Sequence, residues 1–257
     1  SMFQGCSSIN SIDSLENWKM PSLKYADGLF SGCSNISSID AIKVWNTKKV
    51  EYMKEMFQNC SSITSIEALR YWNLSNVKYT SYMFENCSSL DSIDAVKEWD
   101  MSKVQYASSM FDGCSSIKSL DPVKNWNMSK VQYMNKMFRN CSSLTTLFPL
   151  IDWDVKNVEY ACDLFSGCNS LNSIEGLSKW NVSKIKDMGN MFSGCENIIS
   201  VEAIKNWNMC NVINTYCMFQ DCKKLVSIDA LKDWNLSNVK TSSYMFQGCI
   251  GIKSFDG

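Results

Sequence analysis

The sequence predicts a repeat solenoid, a rod of stacked 27-residue coils, and three observations support this fold class. Ten of the 13 cysteines recur every 27 residues, from Cys6 to Cys249, without an insertion or deletion. A phenylalanine lies three residues before each of these cysteines, and all nine tryptophans lie twelve residues after one. A solenoid requires such a strict period, because each coil packs its side chains on those of the next coil. We therefore predict one solenoid domain over residues 1–257, with about nine and a half coils, as a fragment of a longer protein.

Positions within a coil are counted from the periodic cysteine, which is position 0. The residue before it is Gly or Asn in nine of ten copies and Asp in the other, so we expect the chain to turn there. Positions +3 and +6 are apolar in every copy and predict a short parallel strand, for example from Ile63 to Ile66. Ser or Thr at +5 is expected to hydrogen-bond neighbouring backbone. A second strand or a helical turn is predicted at +17 to +24, for example from Val77 to Phe84. Coils that pair like strands would lie about 4.8 Å apart and make a rod roughly 45 Å long.

The composition excludes several classes of function. The chain has no histidine, which rules out His-dependent catalysis and His-ligated metal sites. A net charge of −1 provides no basic field for nucleic acid or an anionic membrane, and no apolar run approaches the roughly 18 residues of a membrane span. Ionisable groups recur as like groups along the rod, whereas a catalytic pocket needs unlike groups that converge. We therefore predict no enzyme activity, no cofactor or metal, no nucleic-acid partner and no membrane insertion by this fragment.

The cysteine and tryptophan columns, meaning the residues at one position in successive coils, are interpreted as core. Neighbouring cysteines at strand spacing would also satisfy the distance for a disulfide, so disulfides and a metal site remain alternatives. A tryptophan column could instead be an exposed row that binds glycans. Three cysteines lie outside the period and are expected to be more exposed: Cys162, Cys210 and Cys217.

Tyrosine at +19 is the main candidate for ligand binding. It occupies six consecutive coils and then gives way to Asp, Asn and Thr, so we expect the position to be at least half exposed. Beside mixed Lys, Gln and Glu at +18, it would form an amphipathic strip of the kind that interfaces favour. The alternative is a tyrosine column that only stabilises a strand by stacking. The candidates are Tyr25, Tyr52, Tyr79, Tyr106, Tyr133 and Tyr160, with Tyr82, Tyr216 and Tyr244 at the variable positions +21 and +22.

A second polar column lies at +7, where nine of ten copies are acidic and Phe148 is the exception. Stacked like charges repel, so our structural interpretation is that each carboxylate caps the turn that follows, helped by Lys or Arg at +10. The alternative is a row that binds Ca²⁺ or a basic partner. The column consists of Asp13, Asp40, Glu67, Asp94, Asp121, Glu175, Glu202, Asp229 and Asp256.

The runs MFQNCSSITSIEAL, MFENCSSLDSIDAV and KNWNMSKVQYMNKMF resemble the tandem bacterial surface-protein repeats allied to BspA-like leucine-rich repeats. The shared patterns are M-F-x-x-C-x-x-L-x-x-[LI] and W-[ND]-x-[ST]-x-V, and the resemblance covers essentially all 257 residues. It implies a leucine-rich-repeat-like solenoid. It also implies a surface-exposed or secreted bacterial protein that adheres to host molecules, matrix or other cells.

We therefore predict a non-enzymatic binding or adhesion module at the cell surface, or secreted, which presents an extended repeat face to a protein or glycan ligand. Two alternatives stay open: a cytoplasmic scaffold or effector module that binds other proteins, and a passive spacer at the cell surface. Both ends stop within a repeat, so end-to-end self-association of the terminal coils is a further expectation.

Overall fold

The computed structural model describes residues 1–253, which form a solenoid with the expected 27-residue coils. Coils are numbered 1 to 9, from the coil that begins at Cys6 to the coil that begins at Cys222. Each of these coils contains a three-residue 3₁₀ helix at +7 to +9. The helices are Asp13–Leu15, Asp40–Ile42, Glu67–Leu69, Asp94–Val96, Asp121–Val123, Phe148–Leu150, Glu175–Leu177, Glu202–Ile204 and Asp229–Leu231.

Parallel backbone bridges join neighbouring coils, and the longest series runs along +19 from Tyr25 to Thr241. Two further bridges, Ser65 to Ser92 and Thr146 to Ser173, lie at +5. In the described residues these contacts are single-residue bridges rather than extended strands. The main inter-coil ladder therefore lies in the segment predicted as the second strand. The segment predicted as the first strand pairs less, because the turn after the cysteine and the 3₁₀ helix leave few extended residues between them.

Beyond the bridge at +19, alternate backbone N–H groups donate to carbonyls of the next coil. In coil 5, the N–H of Met134 lies 3.0 Å from the carbonyl of Tyr160, and that of Asn140 lies 2.7 Å from the carbonyl of Ser166. This alternation uses left-handed backbone at +22 and at the residue before the cysteine, with φ of 58° at Lys136 and 57° at Asn140. Gly, Asn and Asp tolerate that conformation best, which explains the residues found before each cysteine.

Columns of buried apolar side chains form the core. Neighbouring phenylalanine rings stack with centroids 5.5–6.0 Å apart, and the rings from Phe30 to Phe219 are fully buried. Each tryptophan from Trp72 to Trp234 donates its indole N–H to a carbonyl of the preceding coil, as Trp126 does to Val96 at 2.9 Å. The tryptophans are therefore core residues, as predicted, and the exposed glycan-binding row is wrong for this column. Trp18 is more exposed because it belongs to the first coil.

The cysteine column is also a core column. Each column cysteine from Cys33 to Cys249 donates its thiol hydrogen to the carbonyl of the phenylalanine that lies three residues before the previous column cysteine; the distance from Cys114 to Phe84 is 3.1 Å. All 13 cysteines lie in the described residues and are free thiols. Cys162 and Cys210 are partly exposed, whereas the column cysteines from Cys33 to Cys249 are buried, so the expected greater exposure is confirmed for these two. Cys217 is buried, and the prediction was wrong for this residue.

Neighbouring coils lie closer together on one side of the solenoid than on the other. Ring centroids of neighbouring coils are 4.7–5.1 Å apart in the tyrosine column, 5.5–6.0 Å in the phenylalanine column and 6.4 Å in the tryptophan column. The expected strand spacing of about 4.8 Å therefore holds only at the tyrosines. This difference places the tyrosine column on the inner side of the curve and the tryptophan column on the outer side.

Coil 7 approaches coil 6 closely at Gly176. A Cβ atom there would lie 1.7 Å from the carbonyl oxygen of Leu147 and 2.9 Å from Cα of Phe148. We expect Gly176→Ala to lower the free energy of unfolding by about 1–3 kcal/mol, because the clash is with backbone that cannot rotate away. Urea denaturation measures this change. The control is Ser178→Ala, an exposed position in the same turn where a change within about 0.5 kcal/mol is expected. Equal midpoints for Gly176→Ala and the wild type would contradict the close approach.

Candidate functional site

The six tyrosines at +19 form one continuous stack along the inner side of the solenoid. Their ring centroids are 4.7–5.1 Å apart, and from Tyr52 to Tyr160 the planes of neighbouring rings differ by at most 9°. Each ring covers the next, so the ring edges and hydroxyl groups rather than the ring faces meet solvent. Tyr25, at the start of the stack, is 63% exposed. The other five are only partly exposed, so the expected half exposure holds at Tyr25 alone.

Charged side chains at +18 flank this stack and alternate in sign. The Glu51 carboxylate lies 3.1 Å from the Lys24 ammonium and 2.9 Å from the Lys78 ammonium, and Lys186 pairs with Glu159 at 2.6 Å. Hydrogen bonds from the two lysines lower the pKa of Glu51, and the carboxylate partners raise the pKa values of the lysines. The column reads Lys24, Glu51, Lys78, Gln105, Gln132, Glu159, Lys186, Ile213 and Lys240. We call the surface formed by positions +18, +19, +21 and +22 the tyrosine face.

The inter-coil ladder at +19 continues after the tyrosines end. Asp187 and Asn214 form the same parallel bridge that joins the tyrosines, and the Asn214 amide donates to the Asp187 carboxylate at 2.9 Å. That carboxylate also accepts from the backbone N–H of Gly189 at 2.9 Å. Since the coil forms with Asp or Asn at this position, the fold itself does not require an aromatic ring at +19.

The three remaining candidate tyrosines lie outside the stack. Tyr82 has a left-handed backbone, with φ of 61°, and the Lys54 ammonium lies 5.6 Å from its ring centroid. Tyr216 and Tyr244 pack edge to face with centroids 5.8 Å apart and form a separate exposed pair in coils 8 and 9. The structure therefore brings six of the nine candidates into one array and places the others beside it or beyond it.

One ion pair at +25 was not predicted from the sequence. The side chain of Asp112 is only 2% exposed, and Arg139 of the next coil binds it with its Nε 3.0 Å from both carboxylate oxygens. The second guanidinium nitrogen lies 2.8 Å from Oδ2, and this contact raises the pKa of Arg139. The available signal was a pair of opposite charges 27 residues apart, which the periodic numbering places next to each other.

We expect Arg139→Met to lower the free energy of unfolding by about 3 kcal/mol, because it leaves the buried Asp112 carboxylate without its cation. The matched control is Arg70→Met. Arg70 has the same 32% side-chain exposure, but its partner Glu67 is 57% exposed and water can replace the arginine, so no measurable loss is expected. Urea denaturation compares the two variants. Equal effects would show that the burial of Asp112 contributes nothing.

The acidic residues at +7 are exposed and begin the 3₁₀ helices. The hydroxyl at +5, rather than the carboxylate, accepts from the backbone at the start of the helix: Ser119 Oγ lies 3.1 Å from the N–H of Asp121. The predicted carboxylate cap was therefore wrong, because the carboxylate accepts from the same hydroxyl at 2.8 Å and not from the helix backbone. The predicted cation at +10 pairs with the acid in Glu67–Arg70 and Glu202–Lys205. Asp256 lies outside the described residues.

The described part of the chain has neither a cluster of metal ligands nor a membrane-spanning helix. Among residues 1–253, no three or more His, Cys, Asp or Glu side chains group closely enough to hold a metal ion. Nor does any helix in this range have the length and apolar character needed to cross a membrane.

Bacterial leucine-rich repeat proteins are among the solved structures that are similar to this chain. A Treponema pallidum leucine-rich repeat protein is 17% identical, with a TM-score of 0.44 over 71% of this chain and 78% of that one. A Eubacterium ventriosum leucine-rich repeat protein is also 17% identical, with a TM-score of 0.44, and the match covers 89% of this chain but only 56% of that one. A leucine-rich cell surface protein of Faecalibacterium prausnitzii is 16% identical, with a TM-score of 0.30 over 87% and 73% of the two chains. No curated protein has a matching sequence.

A family pattern described as Mycoplasma protein of unknown function, DUF285, matches the chain four times. The matches cover residues 1–119, 65–174, 92–198 and 145–255 and overlap as expected for a tandem repeat. They confirm the resemblance to a bacterial tandem-repeat family that the sequence motifs indicated. The chain belongs to the DUF285 family of Mycoplasma proteins.

Proposed function

We propose that this chain is a non-enzymatic module that binds a protein ligand through the tyrosine face and serves adhesion at a bacterial cell surface. The observation that carries the proposal is the stack of six tyrosines at a position where the fold also accepts Asp and Asn. Tyrosine is enriched at protein interfaces, where it combines a large apolar area with a hydroxyl group. The backbone ladder and the stacking hold these residues in place, so that binding would order few side chains.

The geometry favours a protein over a glycan as the ligand. Sugars bind aromatic residues on the open faces of the rings, and in this stack the neighbouring tyrosines cover those faces. The hydroxyl groups and the paired charges at +18 suit a polypeptide surface that offers its own hydrogen-bonding groups and charges. Binding to glycans is therefore an alternative outcome of the experiment.

Display at the cell surface is supported by the resemblance to bacterial surface-protein repeats. The free buried thiols fit a surface protein and a cytoplasmic scaffold equally well. Protease treatment of intact cells, followed by detection of the chain, separates these two locations. A passive spacer would be cleaved as well, but would bind no ligand.

We expect Tyr79→Ser, Tyr106→Ser and Tyr133→Ser together to weaken binding at least tenfold, because they remove the centre of the stack. The affinity is measured for an extracellular-matrix protein that the wild type binds. The probes are purified matrix proteins and purified glycans immobilised on a biosensor. The matched control replaces three exposed apolar residues away from the tyrosine face, Val44→Ser, Tyr71→Ser and Phe148→Ser, and should bind like the wild type. Circular dichroism checks that both variants are folded. Unchanged binding by the tyrosine variant would overturn the assignment of this face.

A further inference from the structure

We propose that the tyrosine face binds a second copy of this chain in an antiparallel arrangement, with the twofold axis between coils 4 and 5. This inference rests on the proposed function, because it names the partner of the same face. The charges of the +18 column carry it, since over coils 2 to 7 the column is complementary to itself when it is read in the opposite direction.

Symmetry determines which residues meet. A twofold axis that lies in the interface, perpendicular to the rod, reverses the order of the coils but keeps each column opposite the same column of the second copy. Coil 4 then faces coil 5, coil 3 faces coil 6 and coil 2 faces coil 7. Both copies have the same spacing of 4.7–5.1 Å at the tyrosines, so alignment of one row aligns the other rows.

In this arrangement the +18 charges are complementary. Glu51 faces Lys186 of the second copy, Lys78 faces Glu159, and the two central glutamines, Gln105 and Gln132, face each other. Within each chain, Glu51 already pairs with Lys78 at 2.9 Å and Glu159 with Lys186 at 2.6 Å. Each intrachain pair therefore meets a pair of reversed order, and the four groups form a square of alternating charge.

The +19 column fits the same axis. Tyr106 lies opposite Tyr133 of the second copy and Tyr79 lies opposite Tyr160. Because the tyrosine face is on the inner side of the curve, coils 4 and 5 of the two copies are the farthest apart, and their tyrosines line the space between the two faces. Tyr52 faces Asp187, whose carboxylate can accept from a phenol hydroxyl. Coil 7 has Asp187 where the preceding coils have tyrosine, and this places a hydrogen-bond acceptor opposite Tyr52, near the edge of the stack.

Neighbouring registers place like charges opposite each other. An axis through coil 5 brings Lys78 against Lys186 of the second copy. An axis through coil 4 brings Glu51 against Glu159 and Lys24 against Lys186. Such contacts select against these two registers. An axis one full coil away in either direction brings no like charges together but gives fewer opposite-charge contacts, so the axis between coils 4 and 5 is the most favourable.

The test exchanges charges without removing the intrachain pair. Sedimentation equilibrium of the wild-type chain should show a dimer that weakens at high salt. Glu159→Lys with Lys186→Glu should weaken self-association at least tenfold, because it places like charges opposite Lys78 and Glu51. The matched control, Asp152→Lys with Lys179→Asp, exchanges another exposed pair of neighbouring coils, 2.8 Å apart, at the +11 position, and should dimerise like the wild type.

A second variant tests the pairing directly. It carries Glu51→Lys and Lys78→Glu, with Lys24→Gln to remove the neighbouring positive charge, and should also be monomeric by itself. Mixed with the first variant, it should form a heterodimer, because each exchanged pair then meets its complement. A wild-type chain that stays monomeric, an unaffected first variant or a mixture without heterodimer would overturn the proposal.

Failure of this inference can be distinguished from failure of the proposed function. A monomeric chain that binds a matrix protein through the tyrosine face would refute self-recognition and leave the binding function in place. A chain without self-association or any ligand would refute both. If self-association and binding to a matrix protein both occur, the Glu159→Lys and Lys186→Glu variant should lose self-association. The variant with all three tyrosine replacements should lose binding to the matrix protein.

Discussion

The protein is expected to lose stability steeply as the pH rises above about 9, because its core contains a column of thiols that burial keeps protonated well above their ordinary pKa. Burial raises the pKa of Cys60 and of Cys168 to about 12, from an ordinary value of 9.0. Burial shifts the pKa in the same direction for the other central cysteines. These are Cys87, Cys114, Cys141 and Cys195.

The direction of the effect follows from proton binding. Below pH 9.0 these thiols are protonated in both states, and the stability that they contribute is fully present. Between pH 9.0 and about 12 the unfolded chain releases their protons while the folded chain keeps them, so rising pH favours unfolding. Each thiol contributes about 1.4 kcal/mol per pH unit in this range, and six together give about 8 kcal/mol per pH unit.

Urea midpoints measured from about pH 7 to about pH 10 test this expectation. Cys141→Ala should reduce the alkaline slope by the contribution of one thiol, about 1.4 kcal/mol per pH unit. Titration of thiol absorbance in the unfolded chain provides the reference, with ionisation near the ordinary pKa. Stability that stays constant through pH 10 would contradict the buried, protonated column.

Replacing one central phenylalanine by alanine should remove a large part of the free energy of unfolding, which is about 5–15 kcal/mol for a typical domain. Phe138 is fully buried, with its ring 5.9 Å from Phe111 and 6.0 Å from Phe165. We expect Phe138→Ala to lower the free energy of unfolding by about 3–5 kcal/mol, because neighbouring coils held by the backbone ladder cannot collapse into the cavity.

The chain offers a matched control in Phe148→Ala. Phe148 is the same residue type in the following coil, but it lies at +7 and is 59% exposed. Its replacement should change stability by no more than about 0.5 kcal/mol. Urea denaturation of both variants at neutral pH makes the comparison. A similar loss for the two would mean that the phenylalanine column is not the core of the solenoid.

Much of the fold could be predicted because every coil repeats the same pattern, so that a residue type found at one position in all coils indicates the structural role of that position. The burial of the phenylalanine, cysteine and tryptophan columns follows from their invariance, since a solenoid core tolerates neither a change of size nor a change of length. The position of the main ladder could not be predicted in the same way. An apolar pattern shows which side chains are buried, whereas pairing depends on where the backbone is extended, and the 3₁₀ helices decide that.

The candidate site was predicted in outline. Six consecutive tyrosines at one position indicated a continuous strip, and the structure shows the stack. Their partial exposure could not be predicted, because it depends on how closely the rings cover each other. Tyr82, Tyr216 and Tyr244 share neighbouring positions, but their backbone and packing direct them away from the stack.

By itself, the sequence determined the solenoid, its 27-residue coil, its core columns and the family, because stacking repeats the same contacts in every coil. Only the tertiary structure decided what varies between coils. It paired Asp112 with Arg139, placed Gly176 against the backbone of coil 6 and put the tyrosines on the inner side of the curve. The physical reason is that these features depend on distances between neighbouring coils. The period shows which residues become neighbours, but not how close they lie.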